Sequence, residues 1–178
     1  MKFMAALFIV TALVEGFTFH QAMNGRALHW MHHLYTPIAY ALLALALSKW
    51  QANKVVRQGL LVSIPFFAVM CVWNIAAGAR IDSLNDTTQS LANIVFVLVS
   101  ALTLLNLLHR DLGTIHKEYR FWIASAVLIY SAGSLSYFVL HNIISSEHFV
   151  IAWYFHIGIN IAANTIYTVG VLCHYRHR

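Results

Sequence analysis

Charge is what this sequence has least of. Only 10% of its 178 residues are Asp, Glu, Lys or Arg, against about 25% in ordinary soluble domains. The mean hydropathy of +0.69 and the 60% apolar content exclude a conventional water-soluble globule. Two cysteines, neither in a C-x-x-C pair, exclude a disulfide framework and a thiolate metal site. No Gly-rich phosphate loop, nucleophile elbow or kinase signature occurs, which excludes phosphoryl transfer. There is no low-complexity segment, linker or repeat.

What the sequence does contain is long apolar runs. A bilayer core of about 30 Å takes roughly 20 apolar residues per helix. Six such stretches are legible, at 3–22, 31–49, 58–79, 89–109, 121–142 and 149–174. The longest connection, 110–120, has 11 residues, too short to hold a soluble domain. The expected fold is therefore all-α: a polytopic integral membrane protein, six transmembrane helices in one bundle, with 1–178 as a single domain. Leu13-Val14-Glu15 follows the first run where a signal peptidase would need small residues, so that run is read as a span.

Basic residues fix the expected orientation, because cytoplasmic loops are rich in Lys and Arg. With both termini cytoplasmic, nine of the eleven lie inside and only Arg26 and Arg80 outside. The net charge of +5 is thus a topology signal. Scattered over several loops, it forms no stripe for nucleic acid. Cys71 and Cys173 are separated by about 20 Å along the membrane normal, beyond disulfide reach, and read as packing residues.

Small residues in the last two spans, Ser125, Ala132, Gly133, Ser136, Gly158 and Ala162, are expected to let those helices approach closely. Pro65 should free the Leu61 carbonyl and kink the third span. Pro37 allows two readings. Thr36 and Pro37 form the cap and first residue of a helix, or the helix begins near His29 and kinks at Pro37. Thr36 to Trp50 is too short to cross about 30 Å comfortably, which favours the earlier start.

The polar residues inside these runs are costly in a bilayer and normally face the protein interior. They recur at helical spacing. His29, His33, Thr36 and Tyr40 form one stripe; Tyr130, Ser134, Tyr137 and His141 a second; His156, Asn160, Asn164 and Tyr167 a third. Glu15, about 18 Å along the first span, is a membrane carboxylate that needs a proton or a histidine partner. Seven of the eleven histidines fall in the outer half or the outer loops. Together these imply an outward-open polar cavity binding a small ligand through Glu15, His33, Thr36, Tyr40, Tyr137, His141, His156, Asn160 and Asn164. Ordinary helix-to-helix hydrogen bonding accounts for any one stripe taken alone. His109, His116, His174 and His177 lie among inner-end basic residues and read as headgroup-facing. Asp82 and Asp86 read as turn and cap residues.

Four segments resemble a group of bacterial multi-span proteins that look like the membrane sensor halves of histidine kinases. These are His33-Leu34-Tyr35-Thr36-Pro37-Ile38, Ser83-Leu84-Asn85 through Ser90-Leu91, Phe121-Trp122-Ile123 through Ser134-Leu135, and Phe155-His156 through Asn160 to Tyr167. Ala39 and Ala92 stand where that pattern has acids. The resemblance implies a sensor or signalling module in the cell membrane, the bacterial inner membrane, acting through a partner protein or as a homo-oligomer.

No enzymatic centre and no cofactor are expected under that reading. Its rivals are a membrane redox protein or metalloenzyme, in which His29, His33 and His156 are the candidate ligands for haem, Zn or Cu, and a small transporter or channel subunit. An absorbance spectrum and metal analysis of the purified protein separate the first rival: a Soret band or stoichiometric Zn, Cu or Fe establishes it, and a metal-free, colourless protein removes it.

Overall fold

The computed structural model describes residues 2–24, 29–76, 86–109, 115–143 and 149–176, without the side chains of residues 22, 29, 86, 138–143 and 149. Over these residues the regular secondary structure is all helical. Its elements are α1 (Lys2–Met23), α2 (His29–Ser48), α3 (Lys54–Ala76), α4 (Asp86–Leu108), a 3-10 turn η1 (Ile115–Lys117), α5 (Tyr119–Ile143) and α6 (Phe149–Arg176). Of these, α1, α3, α4 and α6 are long and apolar enough to cross a membrane. At 1.5 Å per residue, α2 and α5 also have the length, with 20 and 25 residues. Each carries a broad buried face.

Two compact units are present, Met1–Gln89 and Ser90–Arg178. In the first, α2 packs on both α1 and α3. The α2 to α3 connection is a tight reversal: Trp50 N–H donates to the Leu47 carbonyl and Gln51 N–H to that of Ser48. Asn53 then caps α3, its Oδ1 accepting the Val55 N–H at 2.8 Å. Near this end Lys49 Nζ sits 4.6 Å above the Phe3 ring, a cation–π contact between α2's exit and α1's start.

Pro37 lies inside α2, so the helix begins at His29 and the Thr36 start does not occur. Thr36 instead turns its hydroxyl back on the His32 carbonyl at 2.7 Å. Pro65 is likewise interior to α3. Both prolines leave a carbonyl without its helical N–H, those of His33 and Leu61.

In the second unit α5 and α6 form an antiparallel pair. Gly133 lies against Ile159, where an added Cβ would come within 2.6 Å of Cγ2, and Gly170 lies against Trp122 and Ile123. An added Cβ would clash with Ile159 at Gly133 and would be tight against its neighbours at Gly170. The other small residues behave differently from expectation. Ala132, Ser136, Gly158 and Ala162 are exposed, and a Cβ on Gly158 would meet nothing within 4 Å. The seam uses Gly133, Ala163 and Gly170 because these share the helical face turned to the partner. At the end of the seam where α5 begins and α6 ends, Trp122 Nε1 donates to the His116 carbonyl at 2.8 Å, Cys173 Sγ lies 2.9 Å from the Lys117 carbonyl and His174 meets the edge of Tyr119. Both cysteines are free.

Outward faces are apolar. Phe66 and Trp73 on α3 are 66% and 73% exposed, and Leu13, Phe19, Ile151 and Ile161 are comparably bare. Meanwhile His33, Thr36, Asn93, Ser100, Thr103, Ser131 and Ser134 are buried, the reverse of a water-soluble bundle. Gly133→Ala should lower the melting temperature in detergent, with about 1–3 kcal/mol lost to overpacking against Ile159. Gly158→Ala, on open surface, should hold or raise it.

Candidate functional site

Each unit gathers part of the polar inventory. In the first, Tyr40 projects from the buried face of α2 toward α3. Its ring stacks on Phe67 with centroids 4.0 Å apart at 18°, and its hydroxyl lies 2.7 Å from Ser63 Oγ. Ser63 in turn donates to the Leu60 carbonyl at 2.8 Å, so the Tyr40 hydroxyl is the donor to Ser63. The two residues Tyr40 touches flank Pro65, and Tyr40 itself lies one turn beyond Pro37. On the other side of α2, Tyr35 pairs with Thr11 of α1 at 2.7 Å.

Glu15, one turn along α1 from Thr11, is exposed. Among the described residues it forms no ion pair. His33 and Thr36 are buried.

In the second unit the focus is His156, on α6. Its imidazole centroid is 4.8 Å from that of Tyr137 and 6.4 Å from that of Tyr130, both on α5. Asn160, one turn along α6, donates Nδ2–H to Nε2 of His156 at 3.2 Å. With Nε2 accepting, a neutral imidazole carries its proton on Nδ1, and Nδ1 is buried without a hydrogen-bond partner among the described residues. The same holds for the hydroxyls of Ser131 and Ser134 and for Nδ2 of Asn93 on α4. Asn164 is exposed, and its backbone carbonyl accepts the Thr168 hydroxyl.

The side chains of His29 and His141 lie outside the described residues. His33 belongs to the first unit and His156 to the second. Among the described residues no group of three His, Cys, Asp or Glu side chains is arranged to hold a metal ion.

The chain matches no protein-family model, and neither a curated protein nor a solved structure is similar to it at a significant level.

Ser63, Phe67 and Thr11 complete the first cluster without having stood out in the sequence. A lone Ser or Phe in an apolar run carries no periodic signal, and only the register of α2 on its neighbours selects them. The proximity of Tyr137 to His156 likewise depends on the α5 to α6 register, whereas the His156 to Asn160 pair follows directly from i, i+4 spacing.

A double-mutant cycle on Tyr40→Phe and Ser63→Ala, read by thermal unfolding in detergent, should give a coupling of about 0.6 kcal/mol, the average for an interhelical hydrogen bond in a membrane protein. Tyr40→Ala should cost more than Tyr40→Phe, since it also removes the stack on Phe67, worth about 0.5–1.5 kcal/mol beyond area.

Proposed function

We propose that this protein is a six-span membrane receptor with both termini cytoplasmic, which binds a small ligand among its inward polar side chains and passes the resulting change in helix packing to a partner protein. The observation that carries the reading is the His156 cluster. The close approach of α5 to α6 is made by Gly133 against Ile159 and Gly170 against Ile123. The pair also buries an imidazole nitrogen and two hydroxyls that have no hydrogen-bond partner among the described residues, and a buried polar group left unsatisfied costs about 1–3 kcal/mol. Such groups inside an apolar exterior are the mark of a binding site.

The clusters around Tyr40 and His156 have different roles in this proposal. At His156 the ligand meets the protein. Tyr40 acts as a joint: adjacent helices each contain a proline, and one tyrosine bridges them by a stack and a hydrogen bond. A bend there gives a way to move α2 against α3. Glu15 beside Tyr35 supplies charge or a proton near the Thr11 contact. The resemblance to sensor halves of histidine kinases points the same way, toward output through a separate cytoplasmic protein or a second copy of the chain in the bacterial inner membrane.

Native mass spectrometry of the full-length protein, extracted from its own membranes, tests this. A single small molecule should co-purify and be lost from the His156→Ala and Asn160→Ala variants. Glu15→Gln and His33→Ala should weaken its retention or its effect on the partner. An empty wild-type protein, or variants that all retain the molecule and its effect, would overturn the proposal.

A further inference from the structure

Four cations meet at one end of the first unit. Lys2 opens α1, Lys49 comes directly after α2, and Lys54 and Arg57 lie in the opening turn of α3. Contacts hold these three helix ends together. Lys49 Nζ sits 4.6 Å above the ring of Phe3, the neighbour of Lys2, and the reversal through Trp50 and Gln51 delivers the chain to the Asn53 cap of α3. All four cations are exposed, and none forms an ion pair among the described residues. From Lys2 to Ala76 the only acid is Glu15, about 20 Å further along α1 at 1.5 Å per residue.

Helix stability does not select this arrangement. The N-terminus of a helix carries partial positive charge and favours Asp or Glu in its first turn. Both α1 and α3 begin at this end, and neither has an acid there. Lys54 and Arg57 therefore stand against the dipole of their own helix and share the end with two further cations. The second unit shows the contrast. At the start of α5, Arg120 is paired with Glu118 at 3.2 Å and lies over the Tyr119 ring, so its charge is answered within the protein.

Below the cations, α3 presents a continuous apolar track. Val55, Val62, Phe66, Val69 and Trp73 recur at i, i+7, i+11, i+14 and i+18, which is one face of a helix, and all are 65–75% exposed. A soluble anion would answer the charge and leave this face bare. An anionic lipid answers both, with its phosphate among the cations and an acyl chain along the track.

We propose that this end of the first unit, set at a bilayer surface by the spans of α1 and α3, is a docking surface for anionic phospholipids. Lys49, Lys54 and Arg57 hold the phosphate, and Lys2 adds to the attracting field.

Native mass spectrometry of the full-length protein in neutral detergent, titrated with phosphatidylglycerol or with phosphatidylcholine of the same acyl chains, tests this. The first phosphatidylglycerol should bind at least ten-fold more tightly than the first phosphatidylcholine. Lys54→Gln and Arg57→Gln should each weaken phosphatidylglycerol about five-fold, the effect of one basic residue beside an anionic lipid surface, and the double variant about twenty-five-fold, with phosphatidylcholine unchanged. Lys117→Gln, in the second unit, should leave the preference intact. Without lipid the double variant should melt no lower than wild type, because the cations it loses oppose the α3 dipole.

Equal affinity for the two lipids would overturn the inference, as would a double variant that keeps the preference. Lys117→Gln lowering the preference as far as Lys54→Gln makes it a matter of net charge and removes this end as the site. A double variant that melts lower and binds both lipids less assigns the cations to the fold and removes it too. Inorganic phosphate that displaces phosphatidylglycerol at equal concentration replaces the lipid with a free anion.

Discussion

A polar group inside an apolar layer has no water to turn to, and that constraint organises this protein at every level. It makes helices of all the regular structure described, since a helix satisfies its backbone internally. It explains why nine hydroxyls fold back on their own carbonyls. It also gives meaning to the side chains that do not comply. Where Tyr40 reaches Ser63, or Asn160 reaches His156, the bond crosses a seam or fixes a tautomer. Ser131, Ser134 and Nδ1 of His156 are buried with no hydrogen-bond partner among the described residues.

The same constraint explains the division of labour among the helices. Apolar helices such as α3 and α6 show large bare side chains outward. The polar ones, α2 and α5, carry broad buried faces, and α2 packs on a neighbour to either side. A helix shielded by neighbours can carry His, Tyr, Ser and Thr at a cost that a lipid-facing helix would meet in full.

Much of this was legible before folding was considered. Helix positions follow from apolar run lengths, and the described helices begin and end within a few residues of the expected spans. The polar stripes follow from i, i+4, i+7 spacing, and the buried positions of His33, Thr36, Tyr40, Ser134 and Tyr137 fall on them. The helix start near His29 was favoured over Thr36 by simple length. The seam residues were less legible: a list of small residues held Gly133 together with Ala132, Gly158 and Ala162, and composition cannot rank them. Which face of a helix meets its partner is a rotation about the axis, and an apolar sequence specifies that rotation weakly.

The sequence by itself determined the helical class, the apolar exterior and the existence of polar faces, because these depend on periodicity and on transfer from water, which are local properties of the chain. Only the tertiary structure decided which polar groups meet: that Tyr40 reaches Ser63 and Phe67, that Tyr137 flanks His156, that Glu15 lies out on the surface of α1 near Tyr35, and that Asn164 turns away. Those outcomes depend on register and rotation between helices, set by steric contacts such as Gly133 against Ile159, and contacts of that kind join residues that the sequence keeps far apart.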